Sequence, residues 1–96
     1  MSPTKILAIG RESPMTAEQQ QLRLKEAPTA LRLYLDGKIE QWWNRQDQAG
    51  VVFVVNATSI EEARQILDGL PLHMAKVLSF DFIPMGPLKQ LQVLLG

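Results

Sequence analysis

An α+β fold in the order β-α-β-β-α-β is predicted by three observations. Strand-length runs rich in apolar, β-branched or aromatic residues recur four times, at 5–9, 39–45, 51–55 and 77–83. Two helix-start patterns, Thr16 with Gln19 and Ser59 with Glu62, fall between the first and second runs and between the third and fourth. Only the polar link 46–50 separates the second run from the third, as in a hairpin. This is the split βαβ, or ferredoxin-like, order: four antiparallel strands in one sheet with two helices on one face.

Each element has a local cause. The first strand, 5–9, stops at Gly10, and residues 11–15 with Pro14 form a polar turn. The helix opened by Thr16 draws its apolar positions from Leu22, Leu24, Ala27, Leu31, Leu33 and Leu35, at mixed spacing. Pro28 lacks an N–H and clashes with the preceding turn, so a kink or restart is expected at 26–28, with a second helical piece to Leu35. Asp36-Gly37 ends that piece, glycine being suited to the left-handed position after a helix. The second helix presents Ile60, Ala63, Ile66, Leu67 and Leu70 on one face and ends at Gly69. After Leu70-Pro71-Leu72 a short link leads to the last strand, 77–83, which Pro84 and Pro87 close by removing donors. Residues 88–95 carry leucines at helical spacing and form either a helix or an extended tail, one able to dock on a neighbouring subunit. One domain spans 1–96.

Composition removes several classes of function. Ten basic and ten acidic residues are interspersed, so no basic stripe exists to neutralise phosphates, and nucleic acid is not expected as a partner. Cysteine is absent, which removes disulfides, thiolate chemistry and cysteine-based metal sites. The apolar runs fall well below membrane-spanning length and no signal segment opens the chain, so a soluble cytoplasmic protein with no membrane partner is expected. Glycine-rich phosphate loops, Ser-His-Asp patterns and EF-hand spacing are missing.

The third run adds a statement about assembly. Val51, Phe53 and Val55 point to one face of the sheet and Val52 and Val54 to the other, so both faces are apolar. Two helices cover one. The other requires a partner, most simply the same face of a second copy, which predicts a homodimer built sheet against sheet, with higher assembly left open.

Between Leu22 and Pro87 the chain carries, in order, Glu26, Asp36-Gly37, Trp42-Trp43-Asn44-Arg45, Asp47 with Gly50-Val51-Val52, Glu61-Glu62-Ala63-Arg64, Leu70-Pro71-Leu72 and Ile83-Pro84-Met85-Gly86-Pro87. In the order and spacing of these marks it resembles the muconolactone isomerase-like proteins of the dimeric α/β-barrel superfamily. The resemblance implies a cofactor-free isomerase that moves a double bond within a small carbonyl or lactone compound, with no metal and no organic cofactor. Such a reaction needs a base to take a proton beside a carbonyl, an acid to return it, and donors for the enolate-like intermediate. Alignment on Gly37 places the family's first-helix glutamate on Glu26. The chain departs beside it, where Lys25, Ala27 and Pro28 replace the family's acidic and lysine neighbours.

The candidate site residues each have a plainer role beside the chemical one. Glu26 in an apolar cleft would have a raised pKa and act as a base; alternatively it caps the helical piece starting near Pro28. His73, the single histidine, is a proton shuttle or a half-exposed structural residue, and alone it anchors no typical zinc site. Tyr34 is a donor to a bound carbonyl or a helix-face residue with its hydroxyl in water. Trp42 and Trp43 point to opposite faces, one under the helices and one toward a cleft or the dimer face; Trp43 is taken as the one that shapes the pocket and binds substrate. Arg45 is either a substrate-carboxylate ligand or the partner of Asp47 across the hairpin turn. Lys76 and Asp81 are read as solvated strand positions. The second functional reading is a non-catalytic dimeric module of the same fold that binds a small apolar ligand or a protein partner.

Overall fold

A computed structural model describes residues 5–86. The strands β1 (Lys5–Glu12), β2 (Ile39–Asn44), β3 (Val51–Val55) and β4 (Leu78–Met85) form one antiparallel sheet in the order β2-β3-β1-β4. The helices are α1 (Ala17–Gln21), α2 (Arg23–Leu35), α3 (Ile60–Leu67) and α4 (Pro71–Met74). Each crossover skips one strand, β1 to β2 over β3 and β3 to β4 over β1, which is the ferredoxin-like topology expected.

The two faces of the sheet differ as the alternation requires. Ile6 and Ala8 of β1, Phe53 and Val55 of β3 and Ile39 of β2 are buried beneath the helices with Ala30, Ala63, Leu67 and Leu70. A smaller cluster of Leu72, Val77 and Leu78 closes the end near α4. On the opposite face Leu7, Ile9, Val52 and Val54 are half-buried, with Ile83 and Trp43 exposed beside them. No described helix is long and apolar enough to cross a membrane.

Several expected boundaries shift, each for a physical reason. Strand β1 runs through Gly10 to Glu12 instead of ending at the glycine. A Cβ at Gly10 would lie 2.9 Å from Phe80 Cε1 and 3.1 Å from Val51 Cγ2, so the glycine serves packing inside the strand. The helical break falls at Leu22, not at 26–28. Thr16 caps α1 with a complete capping box, and Leu22 ends α1 and begins α2 without a side-chain cap. Pro28 then sits inside α2, where the Leu24 carbonyl loses its ladder donor, and Leu24, 80% exposed, leaves that end of the turn to water. Leu24, Leu31 and Leu35 face outward, so the mixed spacing of the leucines did not mark the buried stripe.

The helix ends show similar substitutions of one device for another. After α2 the N–H of Gly37 bonds to the Tyr34 carbonyl and that of Lys38 to the Leu33 carbonyl, a Schellman motif with glycine at φ 77°. Ser59 caps α3 by accepting from the Glu62 N–H, but the Glu62 carboxylate accepts from the Thr58 hydroxyl, so the second capping box is half formed. The link after Leu70 is the short helix α4, with Pro71 at its first position, where a missing N–H costs nothing. It ends in a second Schellman motif with Lys76 at φ 62°, so Lys76 is a helix terminus and not a strand residue. Pro84 lies within β4 opposite Ile6, tolerated because β4 is an edge strand. Pro87 and the tail 88–96 lie outside the described residues.

Candidate functional site

Helix α2 turns an unusual face to the sheet. Arg23, Glu26, Ala27 and Ala30 follow the i, i+3, i+4, i+7 spacing that places residues on one side of a helix. The two alanines are too short to fill the gap to the strands beneath. A cleft of about 230 Å3 results, roofed by these four residues and Leu72, floored by Glu12, Asn44, Val51, Phe53 and Leu78, and flanked by Trp42. It is mainly apolar, with a few polar groups converging on it, which is the usual character of a small-molecule site.

Glu26 is half-buried in this cleft. Its Oε1 accepts a 3.0 Å hydrogen bond from the backbone N–H of Leu72, the second residue of α4. Burial pushes its carboxyl above the ordinary glutamate value; the Leu72 bond opposes this, the Glu12 charge adds to it, and His73 and Arg23 act against it. At the mouth, Arg23 closes two-pronged on Glu12, Nη2 to Oε2 at 2.9 Å and Nη1 to Oε1 at 3.3 Å. Trp42 forms a side wall and is held by Tyr34, whose ring stacks on it with centroids 5.7 Å apart and planes 11° off parallel.

No family model and no curated protein sequence matches the chain. Among solved structures it is similar to the 5-chloro-2-hydroxyhydroquinone dehydrochlorinase TftG from Burkholderia phenoliruptrix AC1100, solved in complex with 2,5-dihydroxybenzoquinone. The TM-score is 0.65 at 16% identity, over 90% of this chain and 97% of that one. The likeness is one of fold: a four-stranded antiparallel sheet with helices in the ferredoxin-like order. An identity this low carries the fold and not the reaction.

Within this fold the sequence candidates separate. Of Glu26, His73, Tyr34, Trp43 and Arg45, only Glu26 lines the cleft. Tyr34 supports the cleft from behind Trp42. Trp43 lies opposite Val52, 63% exposed, with its Nε1 donating to Gln41; it lines an open hollow of about 280 Å3 with Trp42, Asn44, Val51 and Phe53, while the tryptophan of the Glu26 cleft itself is Trp42. Arg45 is bidentate with Asp47 at 2.9 and 2.7 Å and also reaches the Gly10 carbonyl at 3.4 Å, so it holds the hairpin turn against β1. The Arg45–Asp47 hydrogen bonding lowers the Asp47 carboxyl and raises the Arg45 guanidinium.

His73 lines a separate cleft of about 230 Å3 with Arg64, Asp68, Phe80 and Phe82. Its Nδ1 is 3.0 Å from the Leu78 carbonyl, which can only accept, and its Nε2 is 3.3 Å from Asp68. Asp81 is exposed on β4 and pairs with Arg11. Among the described residues no group of three or more His, Cys, Asp or Glu side chains is arranged to hold a metal.

Glu12, Arg23 and Asn44 complete the site and were not singled out by sequence reasoning as site residues, and Trp42 takes the place expected of Trp43. The α2 spacing of Arg23, Glu26, Ala27 and Ala30 was a signal that could have found part of it. The Arg23–Glu12 pair joins residues on separate elements, and nothing local announces it.

Proposed function

We propose that the chain is a cofactor-free enzyme that shifts a double bond in a small carbonyl or lactone compound by proton transfer, with Glu26 as the base. The observation that carries this is a half-buried carboxylate of raised pKa facing an apolar cleft of small-ligand size. One Glu26 oxygen is held by the Leu72 N–H, which fixes the carboxylate while its second oxygen takes a proton from the carbon beside the carbonyl. The electrons move onto the carbonyl oxygen, where the Asn44 amide is the uncharged donor at hand. The now neutral Glu26 returns the same proton to a different carbon, so the product is an isomer and the enzyme is restored.

A second reading is favoured by the same hydrogen bond. Glu26 satisfies an orphan N–H at the start of α4, a structural duty that needs no chemistry. On this reading the chain is a non-catalytic module that binds a small apolar ligand. Glu26→Gln separates the two, because a glutamine oxygen still accepts from Leu72 but is no base. Turnover of an unsaturated lactone surviving that change would end the catalytic reading.

The assembly proposed with this function is a homodimer. The open face of Leu7, Ile9, Val52, Val54, Ile83 and Trp43 matches the chemistry of its own copy, and the fold similarity supports the same arrangement.

A further inference from the structure

Three charged side chains line the Glu26 cleft: Glu12, Arg23 and Glu26. A guanidinium beside a ligand site is ordinarily the group that takes a ligand carboxylate, because its fork matches both oxygens. Here the fork is already occupied. Arg23 bonds through both terminal nitrogens to Glu12, whose side chain is only 8% exposed and is therefore fixed in place. Glu26 then stands as a second carboxylate with no cation of its own among the described lining residues. One cation against two carboxylates leaves the site with an excess of negative charge, and the remaining walls are Trp42, the Asn44 amide and apolar side chains.

We propose that this cleft accepts an uncharged carbonyl compound and rejects carboxylate-bearing ones, and that Glu12 is the specificity-determining residue because it occupies Arg23. The inference rests on the reading of the cleft as a ligand site. A ligand carboxylate entering it meets Glu26 without a compensating cation, and opposing like charges is an effective way to discriminate between otherwise equal ligands. An ester or lactone of the same shape meets no such penalty.

The test uses a butenolide carrying an acetate side chain and the methyl ester of the same compound, titrated by calorimetry at neutral pH. Wild-type protein is expected to bind the ester at least about tenfold more tightly than the acid, a difference of about 1.4 kcal/mol. Glu12→Gln frees the Arg23 fork and shifts the acid-to-ester affinity ratio about tenfold toward the acid. Adding Arg23→Gln to that variant removes the shift. Equal binding of acid and ester by the wild type overturns the proposal while leaving the site intact. So does an acid-to-ester ratio that Glu12→Gln does not move in folded protein. If neither compound binds the wild type, the ligand-site reading itself fails and the charge selection falls with it. Should Glu12→Gln not fold, the wild-type ratio decides alone.

Discussion

The carboxylate of Glu26 accepts the backbone N–H of Leu72 at 3.0 Å across 46 positions of sequence, tying α2 to the first turn of α4. One side chain therefore serves both as a helix cap and as the acidic group of the cleft. The two roles separate by substitution. Glu26→Gln is expected to keep the cap and fold normally, with turnover lower by two to four orders of magnitude, about the usual contribution of a general base. Glu26→Ala loses the cap as well and costs about 1 kcal/mol of stability by thermal melting.

The raised carboxyl of Glu26 fixes the direction of two pH dependences. A base must be ionised to act, so the acid limb of the rate profile is expected above the ordinary glutamate range. For stability, a group whose pKa is raised on folding favours the folded state while protonated, and that contribution is lost as pH rises through the folded value. Denaturation of wild type and Glu26→Gln should therefore be closest in acid, with the glutamine variant gaining on wild type as pH climbs. A gap that narrows with rising pH would show that burial does not dominate at this carboxyl.

Lys76 pays a conformational cost at the end of α4. It sits at φ 62° after a Schellman motif, where a side chain is crowded and glycine is not. Lys76→Gly is expected to raise stability by about 1 kcal/mol in urea unfolding. Gly37, already in that conformation after α2, should lose about as much on conversion to alanine.

The close approach of β1 to the β2–β3 hairpin rests on two glycines. A Cβ at Gly50 would collide with the backbone carbonyl of Gly10, which cannot move aside without breaking the sheet. Gly50→Ala is expected to cost about 3 kcal/mol, at the upper end of overpacking penalties. Gly10→Ala meets flexible side chains of Phe80, Leu78 and Val51 instead, and should cost about 1–2 kcal/mol. Chemical denaturation of the pair tests the order.

The open sheet face gives a test of assembly. Sedimentation at micromolar concentration is expected to find a dimer for the wild type and a folded monomer for Val52→Lys, which places a charge in the middle of that face. A wild-type monomer would remove the sheet-to-sheet arrangement.

The fold was legible because its signals are local. Thr16 with Gln19 does form a complete capping box, and the alternation of Val51 to Val55 does divide two faces. Pro28 misled because a proline marks a lost hydrogen bond, whereas the chain had already broken the helix at Leu22 and could expose the freed carbonyl. The leucines of α2 misled because the helix buries Ala30, turns a half-buried Glu26 to the sheet side and leaves Leu24 and Leu35 outside. Of the candidate site residues, Glu26 alone reached the cleft. Which of two adjacent tryptophans lines it depends on the register of β2 against β3, and that register includes a bulge between Ile39 and Gln41 that no local pattern reveals.

The stack of Tyr34 on Trp42 has an optical consequence. Trp42 walls the cleft and touches the protein's single tyrosine, while Trp43, the one other tryptophan, lies on the far side of the sheet. The chain thus carries two built-in reporters with separate audiences. Emission from one should respond to whatever enters the cleft, and emission from the other to whatever covers the open face. With Trp43→Phe or Trp42→Phe silencing one at a time, the cleft and the open face of the sheet are each followed through a single tryptophan.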